Sequence, residues 1–160
     1  MALRKIRIFG DEILKKISKP VKEINTSVLQ LMDDMRDTMR EHEGIGLAAP
    51  QVGVLKRIVL IETEETLYEL INPEIIESEG SQTDDEACLS WPGKAGKVER
   101  PEQVKIKALD REGNEIFVEG KEMLAVALCH EIDHLDGVLF TDRAVEVYLN
   151  EQLSEEEEGD

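Results

Sequence analysis

Two histidines four residues apart, with a glutamate directly after the first, are the residues of this chain best suited to do chemistry. The pentapeptide is His130-Glu131-Ile132-Asp133-His134. On a helix, residues four apart lie one above the other on the same face. His130 and His134 can then offer two imidazole nitrogens to one metal ion. Glu131, next to the first ligand, can reach a water on that ion without filling a coordination position. This is the pattern of a metal-activated hydrolase with its own general base.

The plainer possibility is a solvated helix face, and the flanks weigh against it. Glu122-Met123-Leu124-Ala125-Val126-Ala127-Leu128 contains strong helix formers and no proline or glycine. Gly137 follows as a stop signal. The pattern predicts a helix over 121–135, apolar nearly all round and therefore buried. Two histidines and two carboxylates on such a helix need partners, which a metal ion would supply.

Two histidines leave a catalytic site one protein ligand short, because such sites hold three and keep one position open. His42, Cys88 or a carboxylate could complete it. His42 reads most simply as a helix C-terminal residue, favoured by the dipole. Cys88 suits a borderline-soft metal that would also lower its thiol pKa, although a buried Cys is equally common as a small core residue. Cys129 adjoins His130 and so points about 100° away around the helix. It reads as a core thiol.

The elements that must position these groups form an α+β pattern, with helices toward the ends and strands between. A short helix is expected over 11–19, stopped by Pro20. A longer one is expected over 27–41, capped by Thr26 or Ser27, with Val28, Leu31, Met32, Met35 and Met39 as its core stripe. Residues 44–53 read as a loop. Strands are expected over 57–62, 66–71, 74–77, 104–109 and 115–119, with a hairpin connection at 110–114. A final helix is expected over 142–153.

The 160 residues suit one domain with a sizeable core, read as 1–150, followed by an acidic, solvated tail over 151–160. A net charge of −17 argues against nucleic-acid binding as the main activity. No stretch has the apolar length of a membrane span, and the first residues lack the form of a secretory signal. Two cysteines are too few for a disulfide scaffold, so a reducing, cytoplasmic location is expected.

Three separated segments together resemble the signature motifs of the peptide deformylase family. They are Gly44-Ile45-Gly46-Leu47-Ala48-Ala49-Pro50-Gln51, Glu86-Ala87-Cys88-Leu89-Ser90 and His130-Glu131-Ile132-Asp133-His134. Their order and spacing are similar to those of the shorter bacterial members, and the resemblance spans about residues 1–145. Two positions depart from the family's usual residues: Ala87 stands where glycine is common, and Cys129 where glutamine is common. A positive φ at Ala87 would strain the metal loop, whereas an extended one would cost little.

The resemblance implies a single α+β domain with the metal helix packed on antiparallel or mixed strands. It implies that Cys88, His130 and His134 hold one divalent ion, Fe²⁺ natively, with Zn²⁺, Ni²⁺ or Co²⁺ able to replace it. Glu131 would be the general base and acid, and Gln51 and the Leu89 N–H the oxyanion donors. The substrate would be an N-formylmethionyl nascent peptide, met near the ribosome, and the product formate. Gly44, Ile45, Gly46, Met123, Val126 and Ala127 would bind the substrate, with Trp91 either covering the entrance or packed in the core. Asp133 is expected to orient a ligand or to pair with Arg100. A small zinc protease and a non-catalytic metal-binding or redox-sensing protein are the competing readings.

Overall fold

A computed structural model describes residues 2–149. The chain forms β1 (Gly46–Ala48), β2 (Ile58–Glu62), β3 (Leu67–Glu79), β4 (Gln82–Cys88), β5 (Trp91–Arg100), β6 (Gln103–Leu109), β7 (Glu115–Lys121) and β8 (Glu146–Leu149). Its helices are α1 (Thr26–Glu41), α2 (Met123–Leu135) and α3 (Phe140–Arg143), with 3-10 turns at Glu12–Lys15 and Ala49–Val52. A five-stranded sheet runs in the order β1-β2-β3-β6-β7, and a three-stranded sheet in the order β4-β5-β8. Every strand pairing within the two sheets is antiparallel. The α+β expectation holds.

β2 explains the layering. Its sequence Ile58-Val59-Leu60-Ile61 is apolar on both faces because both faces are covered. Ile58 and Leu60 join the cluster under α1, with Met32, Met35 and Met39. Val59 and Ile61 join the cluster under α2, with Ala125, Leu128, Ile132 and Leu135. Burying each large side chain contributes roughly 1.5–3 kcal/mol. The methionine stripe is therefore core. α2 is less uniformly buried than its composition suggests: Met123 is 63% exposed, and full burial begins at Ala127. Gly137, at φ +73°, ends the helix as expected, in a conformation few other residues adopt.

Several expectations needed correction. The first helix is only a 3-10 turn capped by Asp11, and α1 is capped by Asn25, whose side chain accepts from the Val28 N–H at 3.0 Å. The 44–53 segment contains β1 and a 3-10 turn. Asn72-Pro73 reads as a break between two strands, yet β3 runs through it. Asn72 takes φ +53° where the register shifts, and its side-chain amide bonds both the N–H and the C=O of Val21. β4 and β5 escape the sequence pattern because one is rich in acids and the other carries Pro92, Gly93 and Gly96. The last helix is confined to Phe140–Arg143, and the β-branched Val145 and Val147 belong to a segment that pairs with β5 instead. The proposed acidic tail lies outside the described residues. Among the described residues, no helix is long and apolar enough to cross a membrane.

Candidate metal centre

α2 lies across the five-stranded sheet and carries His130 and His134 toward the end of β4, where Cys88 sits. The ligand atoms of Cys88, His130 and His134 all lie within 4.8 Å of one another. The Cys88 sulfur is 3.3 Å from His134 Nε2. One sulfur and two imidazole nitrogens at this spacing fit a divalent transition metal and leave room for a fourth, non-protein ligand. His42, by contrast, caps the C-terminus of α1 and is exposed, away from this cluster. Cys129 packs into the core under α2, and burial pushes its thiol up to about 11. Ala87 lies in β4 opposite Ala95 without a positive φ, so its methyl brings no backbone strain.

Behind His130 stands a buried chain of charges. His130 Nδ1 is 2.8 Å from Glu86 Oε1. Arg100 grips Glu86 through two nitrogens, each 2.9 Å from a carboxylate oxygen, and reaches Asp133 at 2.6 Å. Arg143 closes the chain on Asp133 with bonds of 2.6 and 3.0 Å. Asp133 and Arg100 thus meet, but Asp133 reaches the ligand only through Arg100 and Glu86. Glu86 is the neighbour that sequence reasoning missed. The signal available was the general need of a metal-bound histidine for an acceptor on its other nitrogen.

Electrostatics follow this geometry. Burial pushes Glu86 toward its neutral form, but His130 and Arg100 outweigh it and hold the carboxyl below its usual range. Burial likewise opposes charge on His130, yet the Cys88 sulfur and Glu86 hold it well above the usual histidine range. Burial, with His130 and Arg100 nearby, holds His134 well below that range. Glu131 is pushed up to about 7, chiefly by burial. Its Oε1 and the Nδ1 of His134 are buried with no hydrogen-bond partner. Gly46 is what makes room for this carboxylate: a Cβ there would lie 2.5 Å from Glu131 Oε2.

Gln51 is held from three sides. Its Oε1 accepts from the Ala48 N–H at 2.9 Å, while its Nε2 donates to Ser90 Oγ at 3.1 Å and faces Cys88 Sγ at 3.5 Å. Leu89 and Ser90 form the tight turn between β4 and β5, directly after Cys88. Beside the centre runs an apolar groove of about 380 Å³, lined by Gly44, Ile45, Ile61, Met123, Leu124 and Ala127, with Glu62, Thr63 and Glu64 at its rim. Of the expected substrate contacts, Gly46 and Val126 do not line it. Trp91 is packed between Phe9 and Phe140, with centroid distances of 3.5 and 6.2 Å, and does not border the groove.

The model of the family described as polypeptide deformylase matches residues 3–149. A peptide deformylase of Acetivibrio thermocellus is 58% identical over 159 residues, covering 99% of this chain and 94% of the relative. Among solved structures, a peptide deformylase from Legionella pneumophila superposes with a TM-score of 0.86 at 45% identity, covering 89% of this chain and 86% of that one. Another, from Thermotoga maritima, gives 0.88 at 35% identity, covering 90% and 99%. Motifs, fold and likeness agree over nearly the whole described chain, which belongs to the polypeptide deformylase family.

Proposed function

We propose the following division of labour for the family's reaction, the metal-dependent hydrolysis that removes the formyl group from the N-terminus of newly made peptides. Cys88, His130 and His134 hold one divalent ion. When bound, that ion supplies Lewis acidity, which brings the pKa of a water toward neutrality. Glu131 takes a proton from the attacking water as its oxygen bonds to the formyl carbon. It then delivers the proton to the leaving amine as the C–N bond breaks, and formate departs. The Gln51 side-chain amide and the Leu89 N–H donate to the oxygen that gains charge in the transition state.

The observation that carries this reading is the partnerless Glu131 carboxylate next to an open Cys-His-His cluster. Substrate docking has support in β1, which is an edge strand. The Ile45 carbonyl accepts from the Glu62 N–H and Leu47 registers with Leu60. By alternation, Gly46 turns its backbone groups toward the open edge, where an extended peptide can add as a strand. The methionine side chain then enters the apolar groove beside Ile45 and Met123.

Fe²⁺ is our assignment for the native ion, on the strength of the family resemblance; the donor set also suits Zn²⁺, Ni²⁺ and Co²⁺. Work on nascent chains implies a cytoplasmic site of action close to the ribosome. The decisive test is formate release from formyl-Met-Ala-Ser by anaerobically purified, Fe²⁺-loaded protein, beside an acetyl-capped peptide. Formate from the first and no internal cleavage of the second is the expected result. Internal cleavage would instead mark a protease, and inertness toward both a non-catalytic metal protein.

A further inference from the structure

The segment before the first 3-10 turn lies across the two loops that carry Gln51 and Leu89. The Arg7 N–H donates to the Gln51 carbonyl at 2.7 Å. The Phe9 N–H donates to the Ser90 carbonyl at 2.6 Å. Residues 7 and 9, the latter in the turn closed by the Asp11 N–H on the Ile8 carbonyl, thus reach two separate loops with one short stretch. The intervening Ile8 donates no such bond among the described residues, and its side chain is 56% exposed. The Phe9 ring stacks on Trp91 at 3.5 Å and 15°, directly after the Ser90 turn. The Arg7 guanidinium lies over Gly53, just past the Gln51 turn, and is tied to Asp11 at 3.0 Å.

On the site side, the same two loops meet through Gln51 Nε2 and Ser90 Oγ. The loops are thus bonded to each other at the chemistry and to a common strap behind it. We infer that residues 7–9 are positioning residues for the oxyanion donors: the Arg7 and Phe9 amides set the separation of the Gln51 side chain and the Leu89 N–H. This rests on the roles given above to Gln51 and Leu89. Donors aimed at charge that develops only in the transition state act on kcat and leave ground-state binding alone.

Phe9→Pro removes the amide that bonds Ser90, together with the ring that stacks on Trp91. With formyl-Met-Ala-Ser and fully metallated protein, kcat should fall tenfold or more, KM should stay within twofold, and metal content should not change. Ile8→Pro places proline in the same strap without removing a bonded amide, and should stay within twofold of wild type. Phe9→Ala keeps the amide but loses the stack; kcat should fall threefold or more, with changed Trp91 fluorescence. Should Phe9→Pro fail to fold, Arg7→Pro, which removes the other strap amide, decides the matter on the same kcat and KM criteria. An unchanged kcat overturns the inference, as does a parallel loss of metal, KM and kcat shared with Ile8→Pro, which would make the strap a fold element only. Gln51→Ala separates the two layers. If it leaves kcat unchanged, the oxyanion assignment itself fails; if it lowers kcat while Phe9→Pro does not, only the strap fails.

Discussion

The two sides of helix α2 treat buried charge in opposite ways. Behind the ligands, Glu86, Arg100, Asp133 and Arg143 form a closed run in which each charge meets an opposite one. In front, Glu131 Oε1 is buried with nothing to bond. Asp133 and Glu131 belong to one thirteen-residue helix, so helix propensity cannot account for the difference. The back spends its polar groups on holding His130 in place. The front leaves its carboxylate free, and an unpaired buried carboxylate is tolerable only where something else is meant to meet it. The contrast separates groups that orient from groups that react.

The largest effect should come from the front. Glu131→Gln keeps the shape of the side chain and removes its basicity. It should lower kcat by about 10²–10⁴-fold, the usual range for general acid–base catalysis, while metal content by elemental analysis stays at wild-type level. Undiminished turnover would show that the unpaired carboxylate is not the proton carrier.

Next comes the back. Arg100→Met leaves Glu86 and Asp133 buried without their shared cation, and should cost about 3–5 kcal/mol in denaturant unfolding. Metal affinity should also fall by about 10–100-fold, because the Glu86 that orients His130 loses its anchor. Wild-type values for both would dissolve the distinction between the two sides.

A third effect is pH-dependent. The Glu131 pKa rises from 4.5 to about 7 in the folded, metal-free protein. The native state therefore binds the proton more tightly than the unfolded one. The stability tied to this proton is complete below pH 4.5 and is lost as pH rises through 7. The comparison is between chelator-treated wild type and Glu131→Gln. The variant should gain on wild type across this window, by roughly 3 kcal/mol at pH 8. A constant difference between the two proteins would mean that the carboxylate is solvated. The smallest effect belongs to the outer end of the back chain. The Arg143 side chain is half exposed, so Arg143→Ala should cost only about 0–1 kcal/mol. A larger loss would extend the orienting network to the surface.

The site was more legible than the fold around it. Spacing on a helix is a local property, so the pairing of His130 with His134 and the place of Glu131 followed from the sequence. Cys88 could be nominated from its chemistry but, on that ground alone, not told from a core thiol. Strands β4 and β5 were hidden because their residues have poor strand character and are held by pairing with each other and with β8. The final segment was read as a helix for the same reason: its partner strand lies some fifty residues back in the chain. Asn72-Pro73 looked like a boundary because the bonds that make it a bulge come from Val21.

By itself, then, the sequence determined the groups proposed to react: a helix that places two imidazoles and a carboxylate together, and three motifs that mark the family. Tertiary structure decided which groups those residues would meet. Glu86 finds His130, and Arg100 finds both Glu86 and Asp133, across separations of tens of residues. Phe9 reaches Ser90 from the far end of the chain. Helical periodicity acts over four residues and is written locally. The pairing of buried charges and backbone amides depends on which strands close against which, and only the folded chain settles that.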